Sequence, residues 1–258
     1  MKNKKLRVCL IVFASLVLVI VLTSAIFALK NISLDFLGET DKLSSSEQTI
    51  IDSADFKQGS NVLFMKKNYY ISKIEKKNPY VKVVNIETVF PNSIIIHCTE
   101  RVELLAVKQT DNTYAILDED LKVLNVVNHF ENTDQNAIII QGLGDISPQN
   151  AGDFLSLDER QNELVKSTIN SLKEWKLSPS VLKQKVEFVC IDYERENQVL
   201  VKMRSGVKIV VKDANILCSD KFNMAFSAYE SNIKYQTSGT LEVRITESNE
   251  MRIFFYTE

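Results

Sequence analysis

From Asn31 to Phe36 the chain alternates, with Ile32, Leu34 and Phe36 on one parity, which predicts a short strand closing at Gly38. Ser44, Ser45 and Ser46 then offer N-caps to a brief helix through Ile50, Ile51 and Ala54. A loop from Phe56 to Asn61, with Gly59 at its bend, leads to a second helix over about Lys66–Lys77. That helix carries Tyr70, Ile71 and Ile74 on one face. Asn78-Pro79 ends it, because a residue before proline is pushed out of the α region. Asn78 to Arg101 then predicts a hairpin rich in β-branched residues. Val84, Ile86 and Phe90 share a parity with Thr88, Pro91 sets φ at the first corner of a Pro91-Asn92-Ser93 turn, and Ile94–Ile96 resumes the strand. The order β-α-α-β-β predicts a compact α+β unit whose two helices cover one face of a small sheet.

Beyond Val102 short strands follow one another: Leu104–Val107, Thr113–Leu117, Leu121–Val127, Ala137–Ile140, Val186–Ile191, Gln198–Met203, Val207–Val211, Leu241–Ile245 and Met251–Tyr256. Two helices interrupt them. One spans roughly Asp158–Trp175 with Leu164, Ile169, Leu172 and Trp175 in a stripe. The other spans roughly Ser219–Asn232, capped by Ser219 or Asp220, with Phe222, Ala225, Phe226 and Tyr229 in a stripe. The expected architecture is a curved, mostly antiparallel sheet with helices on one side.

Ahead of both units, Val8–Leu29 is uncharged. At about 1.5 Å per residue, roughly 20 such residues cross a bilayer core. Lys2, Lys4, Lys5 and Arg7 precede the run, whereas Lys30 is soon followed by Asp35, Glu39 and Asp41. The positive-inside bias therefore orients a single-pass helix with its N-terminus cytoplasmic and the rest extracytoplasmic. The run exceeds the core of an ordinary signal peptide, which favours an uncleaved anchor over cleavage near Thr23-Ser24-Ala25. The expected organisation is a tail at 1–7, an anchor at 8–29, a first unit at 30–102 and a second at 103–258.

The chain carries 31 Lys+Arg and 33 Asp+Glu over 258 residues. Setting aside the four basic residues before the anchor leaves 27 against 33, or −6. That balance argues against a nucleic-acid partner. Cys9 falls in the apolar run, and Cys98, Cys190 and Cys218 lie in or beside apolar strands without metal-ligand spacing. They suit small buried hydrophobes, with a Cys190–Cys218 bridge left open. His97 and Cys98 are adjacent on a strand and point to opposite faces, so they form no dyad; His97 suits a surface or edge position. Asp118-Glu119-Asp120 suits a solvated turn and lacks the spacing of a calcium loop. No nucleophile, zinc or phosphate-loop motif is present. No catalytic residue, cofactor, metal or small-molecule substrate is expected.

Two stretches carry a resemblance: Gly59, Asn61, Leu63 and Phe64 in one, then Pro79, Val81, Phe90, Pro91, Asn92, Glu100 and Arg101 in the other. Placed in this order after an apolar N-terminus, they resemble the POTRA domain of the FtsQ/DivIB family of bacterial cell-division proteins. Glu103 stands where many relatives have proline, and Leu121 where glycine is usual. Gly239-Thr240-Leu241-Glu242-Val243-Arg244 is similar to a late element of that family's β domain. The resemblance implies a non-enzymatic scaffold at the division septum. Its POTRA domain would aid recruitment, and its β domain would bind single-pass partners of the FtsB/DivIC and FtsL kind along the C-terminal edge. By position that edge is Leu241, Val243 and Ile245 with Arg252, Ile253, Phe254, Phe255 and Tyr256. A POTRA-type transport chaperone would need several copies and a membrane barrel, and an anchored cell-wall enzyme would need a nucleophile or metal set.

Overall fold

The alternation along Asn31–Phe36 does build a strand, β1, with every second residue less exposed. The computed structural model describes residues 10–15, 17–18, 23–38, 43, 45–130, 137–175, 177–193 and 197–257. They divide at Arg101/Val102 into two units. The tail at 1–7 and residues 8–9, 16 and 19–22 of the expected anchor lie outside the described residues. Residues 10–15, 17–18 and 23–26 are helical, and Leu10, Ile11 and Phe13 are exposed. Among the described residues no helix is long and apolar enough to cross a membrane. The apolar run also ends earlier than hydropathy suggests: Leu29 is buried in the first unit's core, and Ala28 bridges Asn61.

In the first unit, α1 (Glu47–Ala54) starts at Ser46, whose side chain accepts from the Thr49 amide. A 3₁₀ turn at Val62–Phe64 is capped by Asn61. Helix α2 (Lys67–Lys77) then stops at Asn78, whose side-chain amide donates to Ile74 O and Ser53 Oγ. Strands β2 (Val81–Val89) and β3 (Ser93–Glu100) complete a three-stranded sheet of order β1-β3-β2. β1 runs parallel to β3, and β2 antiparallel.

Two expectations about the hairpin are corrected. The register shifts between Val83 and Asn85, so Val81, Val83 and Ile86 point inward while Val84 and Phe90 are exposed. One extra residue at a bulge reverses every parity beyond it. The turn lies at Phe90-Pro91-Asn92, one residue earlier than the expected Pro91-Asn92-Ser93, because Ser93 already belongs to β3; its Phe90–Pro91 peptide is cis. The core is otherwise as the periodicity suggests, with Ile50, Ile74, Ile94 and Ile96 sealed from solvent.

Two charged groupings tie this unit together. Arg101 Nη2 donates to Glu75 Oε2 over 3.0 Å, with both side chains nearly buried, and Glu75 Oε1 accepts from the Val83 amide over 2.9 Å. The end of β3 is thereby fastened to α2 and β2. On the sheet's other face His97, on the middle strand rather than an edge, lies between Asp35 Oδ2 (2.9 Å) and Glu87 Oε2 (3.1 Å). Glu87 and then Asp35 raise its pKa above 6.5.

The second unit is a nine-stranded sheet of order β12-β11-β10-β9-β8-β7-β4-β5-β6. Its strands are β4 (Leu105–Lys108), β5 (Tyr114–Leu117), β6 (Val123–Val127), β7 (Ile138–Gln141), β8 (Val186–Asp192), β9 (Gln198–Met203), β10 (Lys208–Val211), β11 (Thr240–Ile245) and β12 (Met251–Tyr256). The sheet is mixed rather than mostly antiparallel, because β4–β7, β7–β8 and β10–β11 are parallel pairs. Parallel neighbours need a crossover connection. Here α3 (Glu159–Glu174) and α4 (Pro179–Lys185) link β7 to β8, and α5 (Cys218–Ala228) links β10 to β11.

Helix α3 has a capping box between Asp158 and Gln161. Helix α4, absent from the sequence expectation, is capped by Ser178 with Pro179 in its first turn. Helix α5 starts one residue before the expected caps, behind a left-handed Leu217 without a side-chain cap. The buried Lys221 binds it to the sheet instead, Nζ donating to Lys212 O and Asp213 O. Trp175 stacks on Phe226 at 4.3 Å, joining the end of α3 to α5. Leu121 adopts φ +64 where glycine was the usual residue, yet is buried. All three described cysteines are free.

Arg101→Ala should lower unfolding stability by about 3–5 kcal/mol, because the buried Glu75 carboxylate loses its counter-charge. Urea denaturation checks this, and the apolar pair Glu75→Leu with Arg101→Met should recover most of the loss. Raising the His97 pKa means its pairing stabilises the fold below pH 6.5 and is lost as pH rises through the folded value. Titration of the His97 ring signals should give a midpoint above 6.5, and a midpoint at or below it would contradict the pairing.

Candidate partner-binding edge

A nine-stranded open sheet has two edges, here β12 and β6. The start of β6 is already covered. Val123 N donates to Asp153 O and Gly152 N to Val123 O, each near 2.9 Å, while Lys122 bridges Phe154. Among the described residues β12 pairs with β11 alone, and its outer side meets no other strand.

Hairpin hydrogen bonds fix which groups face out. Thr246 N donates to Glu250 O, and Asn249 N to Thr246 O, each over 2.8 Å. Thr246 and Glu250 are therefore a bonded pair, and bonded pairs alternate along an antiparallel ladder. Arg244/Arg252, Glu242/Phe254 and Thr240/Tyr256 are bonded in turn. The N–H and C=O groups of Met251, Ile253 and Phe255 then point away from β11, toward an empty side.

Side chains divide by the same alternation. Met251, Ile253 and Phe255 pack against the main core but stay half-exposed, so the core is unfinished along this edge. Arg252, Phe254 and Tyr256 occupy the other face. There the Arg244 guanidinium lies 4.5 Å from the Phe254 ring centroid, Arg252 Nη2 is 2.6 Å from Glu250, and Lys212 Nζ is 3.6 Å from Glu242. Leu241 and Val243 are fully buried, so they hold β11 under the edge and touch no visitor. Ile245 is half-buried at the start of the hairpin.

Gly239 closes the arrangement. It sits at φ +119, and a Cβ there would come within 2.7 Å of Phe255 Cζ and 2.9 Å of Tyr256 O. The Gly239-Thr240-Leu241 motif thus permits β12 to lie close against β11. Sequence reasoning did not anticipate the cover over β6, because those contacts join residues far apart in a loop.

The three described cysteines are not poised as nucleophiles. Burial pushes the Cys98 thiol up to about 12 and also raises Cys190 and Cys218, so none is a thiolate at neutral pH. Among the described residues no group of three His, Cys, Asp or Glu is arranged to hold a metal.

Residues 42–101 match the POTRA domain, FtsQ-type, family model. The cell division protein DivIB of Clostridium tetani (strain Massachusetts / E88) is 24% identical over 216 residues, covering 83% of this chain and 76% of the relative. The cell division protein DivIB of Clostridium acetobutylicum is 25% identical over 182 residues, covering 67% and 71%. The chain thus contains an FtsQ-type POTRA domain and is similar along most of its length to DivIB cell-division proteins. Its family-motif residues all serve the first unit: Gly59 turns a loop at φ +80, Asn61 caps the 3₁₀ turn, Pro79 follows the end of α2, Val81 is core, and Asn92 accepts from Lys30. Phe90 is exposed beside Pro91, Glu100 pairs with Val81 across the ladder, and Arg101 holds Glu75.

Gly239→Ala should cost about 1–3 kcal/mol through overpacking at a positive φ. Hydrogen exchange should quicken at the β11-bonded amides of Phe254 and Tyr256 while β4 to β8 keep their protection.

Proposed function

We propose that this chain is a membrane-anchored, non-enzymatic cell-division protein that acts by binding other division proteins at the septum. The open outer side of β12 carries the reading. It offers unpaired backbone groups beside apolar side chains that the fold has only half covered, which are the two things a docking strand supplies and needs. The relatives' names support the role in cell division.

Partners of the FtsB/DivIC and FtsL kind would add a strand to β12. Main-chain bonds to Met251, Ile253 and Phe255 would supply affinity. Arg252, Phe254 and Tyr256 would set register and choice of partner. The first unit would serve recruitment. The uncharged run from Val8 would hold the chain in the cell membrane, with both units outside.

Ile253→Pro removes an outward N–H at a position where an edge strand tolerates proline, and Phe254→Asp places a charge on the recognition face. Each should reduce capture of a DivIC-type partner by the full chain at least tenfold, and truncation before Met251 should abolish it. Undiminished capture by all three would refute the edge reading. A midcell ring of a fluorescent fusion in dividing cells, against a uniform membrane signal, tests the location separately.

A further inference from the structure

The two motifs that mark the first unit meet at one end of it, and both leave an aromatic ring in the open. Phe64 is 81% exposed and Phe90 65%, with Leu63 and Val89 beside them at 46% and 38%. Neither ring is needed by the core that Ile50, Ile74, Ile86 and Ile96 fill. Four large apolar side chains standing out together on a small unit mark a contact surface.

The backbone says where that surface lies. The last turn of the N-terminal helical segment is closed by Phe27 N donating to Thr23 O, and Ala28 already bridges Asn61 in antiparallel sense. Val62 N donates to Phe27 O, so the chain from Asn61 to Phe64 runs back alongside the residues entering the unit, toward the helical segment. Asn92 O accepts from Lys30 N over 2.9 Å, and the Phe27 and Phe90 rings meet edge-on at 6.1 Å. The loop, the hairpin tip and the end of the apolar segment are thus fastened together. Three residues separate Ile26, the last helical one, from Lys30, so the tip lies within about 10–15 Å of the helix end.

Charge selects the occupant. Residues 27–30, 55–67 and 89–93, which make up this end, contain four lysines (Lys30, Lys57, Lys66 and Lys67) and one acid, Asp55, in a chain of net charge −2. Asp55 is held by Lys73 at 2.8 Å. An apolar tip ringed by lysines matches the boundary between acyl chains and anionic headgroups.

We propose that Leu63, Phe64, Val89 and Phe90 dip into the outer interface of the bilayer, with Lys30, Lys57, Lys66 and Lys67 on anionic lipid headgroups. The first unit then lies on the membrane as a peripheral module instead of hanging from it. This rests on the anchoring reading given above for the run from Val8.

The test uses the full chain in nanodiscs of zwitterionic lipid with anionic phosphatidylglycerol, in a Trp175→Phe background that preserves a ring on Phe226. Single variants Phe64→Trp, Phe90→Trp and Phe13→Trp report by fluorescence, and circular dichroism checks their folding. Lipids brominated near the headgroup should quench Phe64→Trp and Phe90→Trp, and those brominated deep in the acyl chain should quench Phe13→Trp. Adding Lys57→Glu and Lys66→Glu should weaken the tip quenching without changing that of Phe13→Trp. If Phe13→Trp is quenched and both tip reporters are not, the tip proposal fails and anchoring stands. A blue-shifted but unquenched tip reporter would point to a protein occupant and also overturn the proposal. If Phe13→Trp is not quenched, anchoring itself fails and takes the proposal with it.

Discussion

Parallel strands cannot be joined by a tight turn, and that constraint shapes the second unit. After β10 the chain must leave the sheet, travel through α5 and return to pair parallel with β10 as β11. Only then does a short hairpin add β12 on the outside. Fixing α5 on the sheet is therefore a condition for the edge to exist. The buried Lys221 and the Trp175–Phe226 stack do that work, one through carbonyls at the exit of β10 and the other through the end of α3. The lysine is an unusual choice. Burial lowers its pKa, and two accepting carbonyls make its burial tolerable.

Much of this architecture was readable in the residue pattern, and the exceptions have physical causes. Short β-branched runs between turn residues located every strand of the second unit, since local alternation and turn chemistry are both local signals. Pairing direction is not local. It depends on whether a helix intervenes and where the chain re-enters, so the sheet expected to be mostly antiparallel is mixed. A bulge at Val84 defeated the parity argument in β2, because a single extra residue leaves no mark in composition. Helix α4 escaped notice because seven residues show too little periodicity, although Ser178-Pro179 carried a start signal.

At the candidate edge, position along the chain picked out two strands that do form one margin of the sheet, but not which residues face where. Leu241 and Val243 proved to be core, and Met251 joined the outward-facing set. Burial and hydrogen-bond phase decide that division, and both follow from tertiary packing. Leu121 teaches the same lesson. Its positive φ is a local cost of about 1–2 kcal/mol that a buried leucine side chain offsets, so the turn keeps its shape without the expected glycine.

The half-covered row of Met251, Ile253 and Phe255 has a consequence for the chain's life in the cell. If a partner strand docks there as proposed, a copy without it would present an adhesive edge to every other such copy and to any protease that tests extended segments. Under the proposed binding, supply of the partner would govern how much of this protein survives. Under the binding model, the balance between the two would be set by turnover of the surplus rather than by matched synthesis.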